Sequence, residues 1–174
     1  MTDQRVLYVI ACATPAAGDV GKLVGLAQDR GWTVCVVTTP KGTRFIDQDA
    51  LERQTGFPVR SDYKQPGTPD LLPPANAMIA APASFNTVNK WAAGISDTLA
   101  VGLLTEAVGL GLPLVALPFL NRAQAAHPAF SRSVKELREM GVKVLLGEEG
   151  FTPREPGHGD VEGFPWELAL KALA

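Results

Sequence analysis

The sequence predicts an α/β fold of three layers built on a central parallel sheet. Three observations carry that prediction. Short apolar runs, most of them rich in β-branched residues, recur at residues 6–11, 33–38, 78–81, 114–117 and 142–146. Such runs suit strands covered on both faces. Helical patterns lie between the runs, and strands alternating with helices build parallel sheets. At 174 residues the chain fits one domain, residues 1–174, by a guide of about 150 residues per domain.

Each element has its own signal. Residues 6–11 follow Arg5 and look superficially like a short secretory leader. Asp3 interrupts the basic end, and the run sits at the lower limit of about seven apolar residues, so a first strand explains it better. Residues 12–19 lead into a helix with Val20, Leu23, Val24 and Ala27 on one face and Gly31 placed as its C′ glycine. The second strand, residues 33–38, passes through Thr39-Pro40-Lys41-Gly42-Thr43 into a helix over residues 44–54.

Residues 57–74 carry Pro58, Pro66, Pro69, Pro73 and Pro74, which exclude a helix or a central strand. A loop of that length is usually functional or mobile. The third strand, residues 78–81, halts at Pro82. Ser84, Asn86 and Thr87 then offer the side chains that satisfy a helix start. Asp97 is read as the cap of a second helix over residues 98–110. The fourth strand, residues 114–117, opens into Pro118-Phe119-Leu120-Asn121-Arg122. A helix over residues 128–140 turns Phe130, Val134 and Leu137 inward and stops at Gly141. The fifth strand is residues 142–146, residues 147–165 are irregular, and a helix over residues 166–174 closes the chain.

Five such strands lead us to expect a flavodoxin-like, broadly Rossmann-like, strand order. Ligands of these sheets bind beyond the carboxyl ends of the strands, where the strand order reverses. The loops at Thr14, Thr43, Ser84 and Asn121 all follow strands and are expected to share one rim.

Composition narrows the partners. A net charge of -2 provides no field to gather nucleic acid or an anionic membrane. No stretch approaches the roughly 18 apolar residues of a membrane span. The expectation is a cytoplasmic protein with neither kind of partner. Cys12 and Cys35 lack metal-ligand spacing, so no metal is expected; Cys35 reads as a small buried hydrophobe, and Cys12, at the end of the first run, reads as core or, less readily, as facing a site.

Neither GxGxxG after the first strand nor GxxxxGK[ST] is present. What remains is a hydroxyl before a helix start, three times over: Thr14, Thr43 and Ser84. Together they suit one phosphate group; singly, each is also a plain helix cap. The Asn121 amide suits a carboxylate or a ring edge, or equally an Asx-turn. His127 offers an acid or base or a structural side chain, and His158 reads as a solvated loop residue. Trp91 shares a face with Val88, Ile95 and Leu99 and reads as core or subunit contact rather than a cofactor platform.

Pro82-Ala83-Ser84-Phe85-Asn86-Thr87, running on to Gly94-Ile95-Ser96-Asp97, resembles the PASxNT…GIxD motif of the flavin-containing cysteine decarboxylase family. That family includes phosphopantothenoylcysteine and peptidyl-cysteine decarboxylases, with flavin prenyltransferases as relatives. Pro118-Phe119-Leu120-Asn121 is similar to its PxMN motif, and His127-Pro128-Ala129 to an HPA that often follows. Gly159-Asp160 with Gly163 resembles the tail after its substrate-clamp loop.

The resemblance implies bound FMN, with Thr14 and Thr43 as phosphate-binding hydroxyls. It places Ala83, Ser84, Asn86 and Thr87 around the flavin and Asp97 near the ring or ribityl chain. It implies a homo-oligomer, a trimer or a dodecamer, with the flavin at a subunit contact. The implied reaction oxidises a thiol on the flavin and then releases CO₂ from a small-molecule or peptide substrate. Asn121 is its expected catalytic residue, holding the carboxylate.

The departures are specific. The family's catalytic histidine falls near Thr68, and no histidine precedes His127. Leu120 replaces the motif methionine, and Arg122-Ala123-Gln124-Ala125 lacks the usual Met-Trp or Met-Tyr. The clamp cysteine's place falls at about His158. The leading expectation is a decarboxylase-like lyase. The alternatives are a non-catalytic FMN-binding or regulatory protein and a flavin prenyltransferase.

Overall fold

The computed structural model describes residues 4–174; residues 1–3, Asp3 among them, lie outside the described residues. Five strands form one parallel sheet: β1 (Val6–Ala11), β2 (Thr33–Thr38), β3 (Ala77–Ala83), β4 (Leu114–Pro118) and β5 (Lys143–Val144). Their order is β2-β1-β3-β4-β5, the flavodoxin-like order expected. β1, β3 and β4 are buried along their whole length, which is why they read as unbroken apolar runs.

Helices flank the sheet: α1 (Val20–Asp29), α2 (Gln48–Thr55), α3 (Phe85–Ala93), α4 (Leu99–Gly109), α5 (Arg122–Ala125), α6 (Pro128–Glu139) and α7 (Trp166–Leu173). α1 packs on α2 and α7, while α3 packs on α4 and α6. The core joins Leu7, Ile10, Ile79 and Leu117 of the strands to Leu23, Leu104 and Leu137 of the helices. Each such side chain contributes about 1.5–3 kcal/mol by leaving water.

Four boundaries differ from expectation, each for a local reason. α2 starts at Gln48 rather than residue 44, because Pro40–Arg44 winds a 3₁₀ turn and Asp47 supplies the cap. The Asp47 carboxylate accepts the Ala50 N–H at 3.0 Å. β3 does not stop at Pro82 but reaches Ala83, with a register shift against β4 between Ala80 and Ala83. Pro82 has no N–H to lend, yet its carbonyl accepts the Cys12 N–H at 3.0 Å. β5 shrinks to two residues because the chain turns away at Gly147, whose φ of 71° favours glycine. The cap of α4 is Thr98 rather than Asp97.

Residues 57–74 form neither a helix nor a strand of the sheet; Arg60 makes one isolated bridge to Val37. The segment is nonetheless tied down. The Tyr8 hydroxyl donates to the Pro73 carbonyl at 2.7 Å, and the Tyr63 hydroxyl to the Thr98 carbonyl at 3.1 Å. Towards the C-terminus an aromatic ladder runs from Phe119 to Phe151 (5.1 Å between ring centroids), Phe164 (5.7 Å) and Trp166 (4.7 Å). Such pairs contribute about 0.5–1.5 kcal/mol beyond the area they bury.

Candidate functional site

The chain leaves β1 for β2 on one side and returns to β3 on the other, so the strand order reverses between β1 and β3. That reversal opens a crevice at the carboxyl ends of the strands. A cleft of about 960 Å³ lies there, walled by the segments that follow β1, β2, β3 and β4.

After β1, Thr14 precedes Pro15 at the mouth of a 3₁₀ turn, Pro15–Asp19, without capping it through its side chain. Thr14 is only 5% exposed, and its Oγ1 has no hydrogen-bond partner among the described residues. A buried hydroxyl left without a partner costs about 1–3 kcal/mol. A ligand oxygen meeting Oγ1 in the cleft recovers that cost.

After β2 the same pair recurs, Thr39 before Pro40, again opening a 3₁₀ turn. Thr39 and Lys41 line the cleft. Thr43, the hydroxyl expected there, is instead turned back on its own loop, donating to the Pro40 carbonyl at 2.9 Å. The turn sits tightly on β1. A Cβ on Gly42 would come within 3.1 Å of the Ala11 carbonyl oxygen and 3.0 Å of Thr39 Oγ1. Sequence reasoning missed Thr39, although its Thr-Pro pairing matched that of Thr14.

After β3, Ala83 is buried, and its carbonyl accepts the Phe119 N–H at 2.9 Å, linking two walls. Ser84 caps α3: its Oγ accepts the Thr87 N–H at 3.2 Å and donates to Thr87 Oγ1 at 3.2 Å. Asn86 is exposed and lines the cleft, and the first-turn N–H groups of α3 have no intrahelical partner. The Cys12 thiol lies close by. Burial pushes its pKa up, against hydrogen bonds from Thr87 and Ser84 that lower it.

One turn along α3, Lys90 also lines the cleft. Its Nζ meets Asp97 Oδ2 at 2.5 Å. That ion pair draws Asp97 away from the α4 N-terminus, where Thr98 Oγ1 accepts the Val101 N–H at 3.4 Å. Asp97 is not on the cleft wall; it touches the site only through Lys90.

After β4, Asn121 lines the cleft and caps α5. Its Oδ1 accepts the Gln124 N–H at 2.8 Å, and Gln124 Oε1 accepts the Asn121 N–H at 3.3 Å. Arg154, Glu155, Gly157, Gly159 and Val161 cover this end. Their loop is tied down by the Arg122 N–H, which donates to the Arg154 carbonyl at 2.7 Å, and by the Arg122–Glu155 ion pair at 2.6 Å. Arg154 also reaches Asp160 at 3.5 Å. These ion pairs are exposed, so each contributes at most about 1 kcal/mol.

The histidines stand elsewhere. His127 Nδ1 accepts the Ala129 N–H at 3.0 Å and so caps α6, its ring edge-on to Phe85. His158 turns its Nδ1 to the Pro156 carbonyl. Neither lines the cleft. Trp91 is 2% exposed, a core residue. Thr14, Ser84, Asn86, Thr87 and Asn121 therefore meet in one cleft, whereas Thr43, Ala83 and Asp97 lie off its wall.

Comparison with known proteins places the fold in a family. The family described as Flavoprotein matches residues 1–165. The chain belongs to the Flavoprotein family. The phosphopantothenoylcysteine decarboxylase of Mus musculus is 33% identical over 135 residues, covering 70% of this chain and 66% of the mouse protein. The coenzyme A biosynthesis bifunctional protein of Thermococcus kodakarensis is 26% identical over 146 residues, covering 78% of this chain. This flavoprotein spans only 36% of that archaeal relative. The structure of TvaF, an FMN-dependent cysteine decarboxylase from thioviridamide biosynthesis, matches with a TM-score of 0.71 at 21% identity, covering 98% of each chain. That likeness shows the shared fold. The expected FMN cofactor accords with the family and with the cofactor named for that structure. Among the described residues no helix is long and apolar enough to cross a membrane.

Proposed function

We propose that this flavoprotein binds FMN in the cleft and oxidatively decarboxylates a small-molecule or peptide substrate that ends in a thiol and a carboxylate. One observation carries the reading: the buried, unpartnered Thr14 hydroxyl opens into the same cleft that Asn121 lines beneath the 154–161 loop. The residues present fit a flavin mononucleotide. Thr14 and Thr39 would hold its phosphate with Lys41 as counter-charge, and Ser84, Asn86 and Thr87 would border its ring system. Bound FMN supplies the redox chemistry.

The protein's own side chains then position and enclose. Asn121 Nδ2 donates to the substrate carboxylate, and the loop over it excludes water. Lys90, held by Asp97, places a fixed positive charge at the cleft wall. The apolar, partly exposed face of α4 with Ile95 and Leu110 would pack on a second copy of the chain, giving a homo-oligomer, a trimer or a multiple of one.

A second reading, an FMN-binding protein without turnover, is favoured by one observation: no histidine lines the cleft. A paired experiment tests both. The absorbance spectrum of the purified protein, with the released ligand weighed by mass spectrometry, is expected to show FMN near one per chain. Incubation with a peptide ending in cysteine is then expected to release CO₂. Bound FMN without CO₂ release would select the second reading; a colourless protein that takes up no added FMN would overturn both.

A further inference from the structure

The capping box at Asn121 does more than start a short helix. A backbone N–H can only donate, so the two capping bonds fix which end of each amide faces inward. The Asn121 Oδ1 and Gln124 Oε1 oxygens are consumed by the Gln124 and Asn121 N–H groups. Both side-chain NH₂ groups are thereby turned away from the backbone, and among the described residues neither has an acceptor. Both residues line the cleft, as does Arg154. The result is a pair of neutral donors, held by reciprocal bonds and left without an acceptor among the described residues.

We propose that Gln124 is a specificity-determining residue: its Nε2–H and the Asn121 Nδ2–H bind the two oxygens of the substrate's terminal carboxylate, one each. The inference rests on the functional reading above and deepens it by adding a second donor to the carboxylate placed at Asn121. The cleft selects a free carboxylate over the corresponding amide, ester or reduced alcohol. A carboxylate offers two acceptors for the two donors, whereas an amide offers one acceptor and an NH₂ that meets another NH₂. Arg154 adds a screened positive charge from the covering loop, which favours the anion without fixing its geometry. Arg122-Ala123-Gln124-Ala125 lacks the Met-Trp or Met-Tyr of the motif it resembles, and Gln124 brings a donor to that stretch.

Gln124→Glu isolates the claim. Glutamate keeps an oxygen for the Asn121 N–H, so the cap survives, but it replaces the donor with an anion. The probes are N-acetyl-L-serine, whose hydroxyl cannot be oxidised as a thiol can, and its amide, N-acetyl-L-serinamide. Each is titrated into the full-length protein with FMN added, and binding is read by calorimetry. The wild type is expected to prefer the carboxylate at least tenfold. Gln124→Glu should lose that preference, binding the carboxylate more weakly and the amide more tightly, and leave the FMN content and the melting temperature unchanged. Gln124→Met, which removes the donor without adding charge, should weaken carboxylate binding several-fold.

A wild type without the preference, or a Gln124→Glu protein that retains it, would overturn the cradle. Neither result would touch FMN binding or CO₂ release, which stand or fall on the spectrum and the peptide assay. Loss of the preference in Gln124→Glu would support the cradle even in a protein that releases no CO₂.

Discussion

Thr14 places a hydroxyl where folding alone gives it nothing to bond. The isosteric Thr14→Val change separates its two consequences. Without FMN, the variant should melt at the same temperature or slightly higher, because an unpartnered buried hydroxyl is gone. With FMN, its affinity should fall at least tenfold, as read by fluorescence titration; unchanged affinity would remove Thr14 from the phosphate site. Two other buried residues set a limit at high pH. Burial pushes the Cys35 thiol up to about 11 from 9.0. Burial also leads in raising the Tyr8 phenol to about 12 from 10.0, with smaller contributions from Cys35 and Asp70. The folded chain keeps these protons after the unfolded chain has released them, so stability falls as pH rises from about 9 towards 12. Cys35 contributes on the order of 2 kcal/mol to that fall. Urea midpoints measured from pH 8 to 12 should decline, and less steeply in Cys35→Ala. Level midpoints in the wild type would contradict this assignment.

Among the elements, the 57–74 segment is the one whose order rests on few contacts. The Tyr63 hydroxyl, bonded to the Thr98 carbonyl, lies over Gly102 of α4, where a Cβ would collide with it. Tyr63→Ala removes that tie and should speed trypsin cleavage after Lys64 several-fold. The melting temperature should barely move, because Tyr63 is 56% exposed. Cleavage at the wild-type rate would show that the Tyr63 tie does not hold the segment. The same scale shows what the sequence makes legible. Thr14, Ser84 and Asn121 are readable because each follows a run too apolar to be anything but a strand, and a parallel sheet gathers strand ends on one rim. Thr39 and Thr43 are not told apart by pattern. Their roles depend on how the turn after Pro40 closes, and that depends on the space left by Gly42. Asp97 and Thr98 are adjacent and both able to cap α4. The choice is made by Lys90, seven residues back, through an ion pair that local spacing does not reveal.

At the scale of the whole molecule, α4 is apolar nearly all round, with Glu106 its one charged residue. A helix of that kind is normally covered. Leu110 is 65% exposed and Ile95 48% exposed near its two ends. The proposed assembly predicts that Leu110→Glu shifts the particle from an oligomer to a monomer in sedimentation velocity and reduces its FMN content. A wild-type chain that already sediments as a monomer would overturn the assembly. The fold itself was legible almost throughout, since five apolar runs and their spacing imply the sheet. The placement of individual side chains was less so, because it is decided by turns and ion pairs that form only after the sheet has assembled.

The aromatic ladder joins the cleft wall to a helix that lies off it. Phe119 forms part of the cleft wall, and its ring stack leads through Phe151 and Phe164 to Trp166, the first residue of α7. α7 contributes no residue to the cleft wall. Even so, damage to α7 would loosen Phe164, then Phe119, then the loop that covers Asn121. A chain clipped near its carboxyl terminus would fade from yellow to colourless while its circular dichroism still showed an intact sheet.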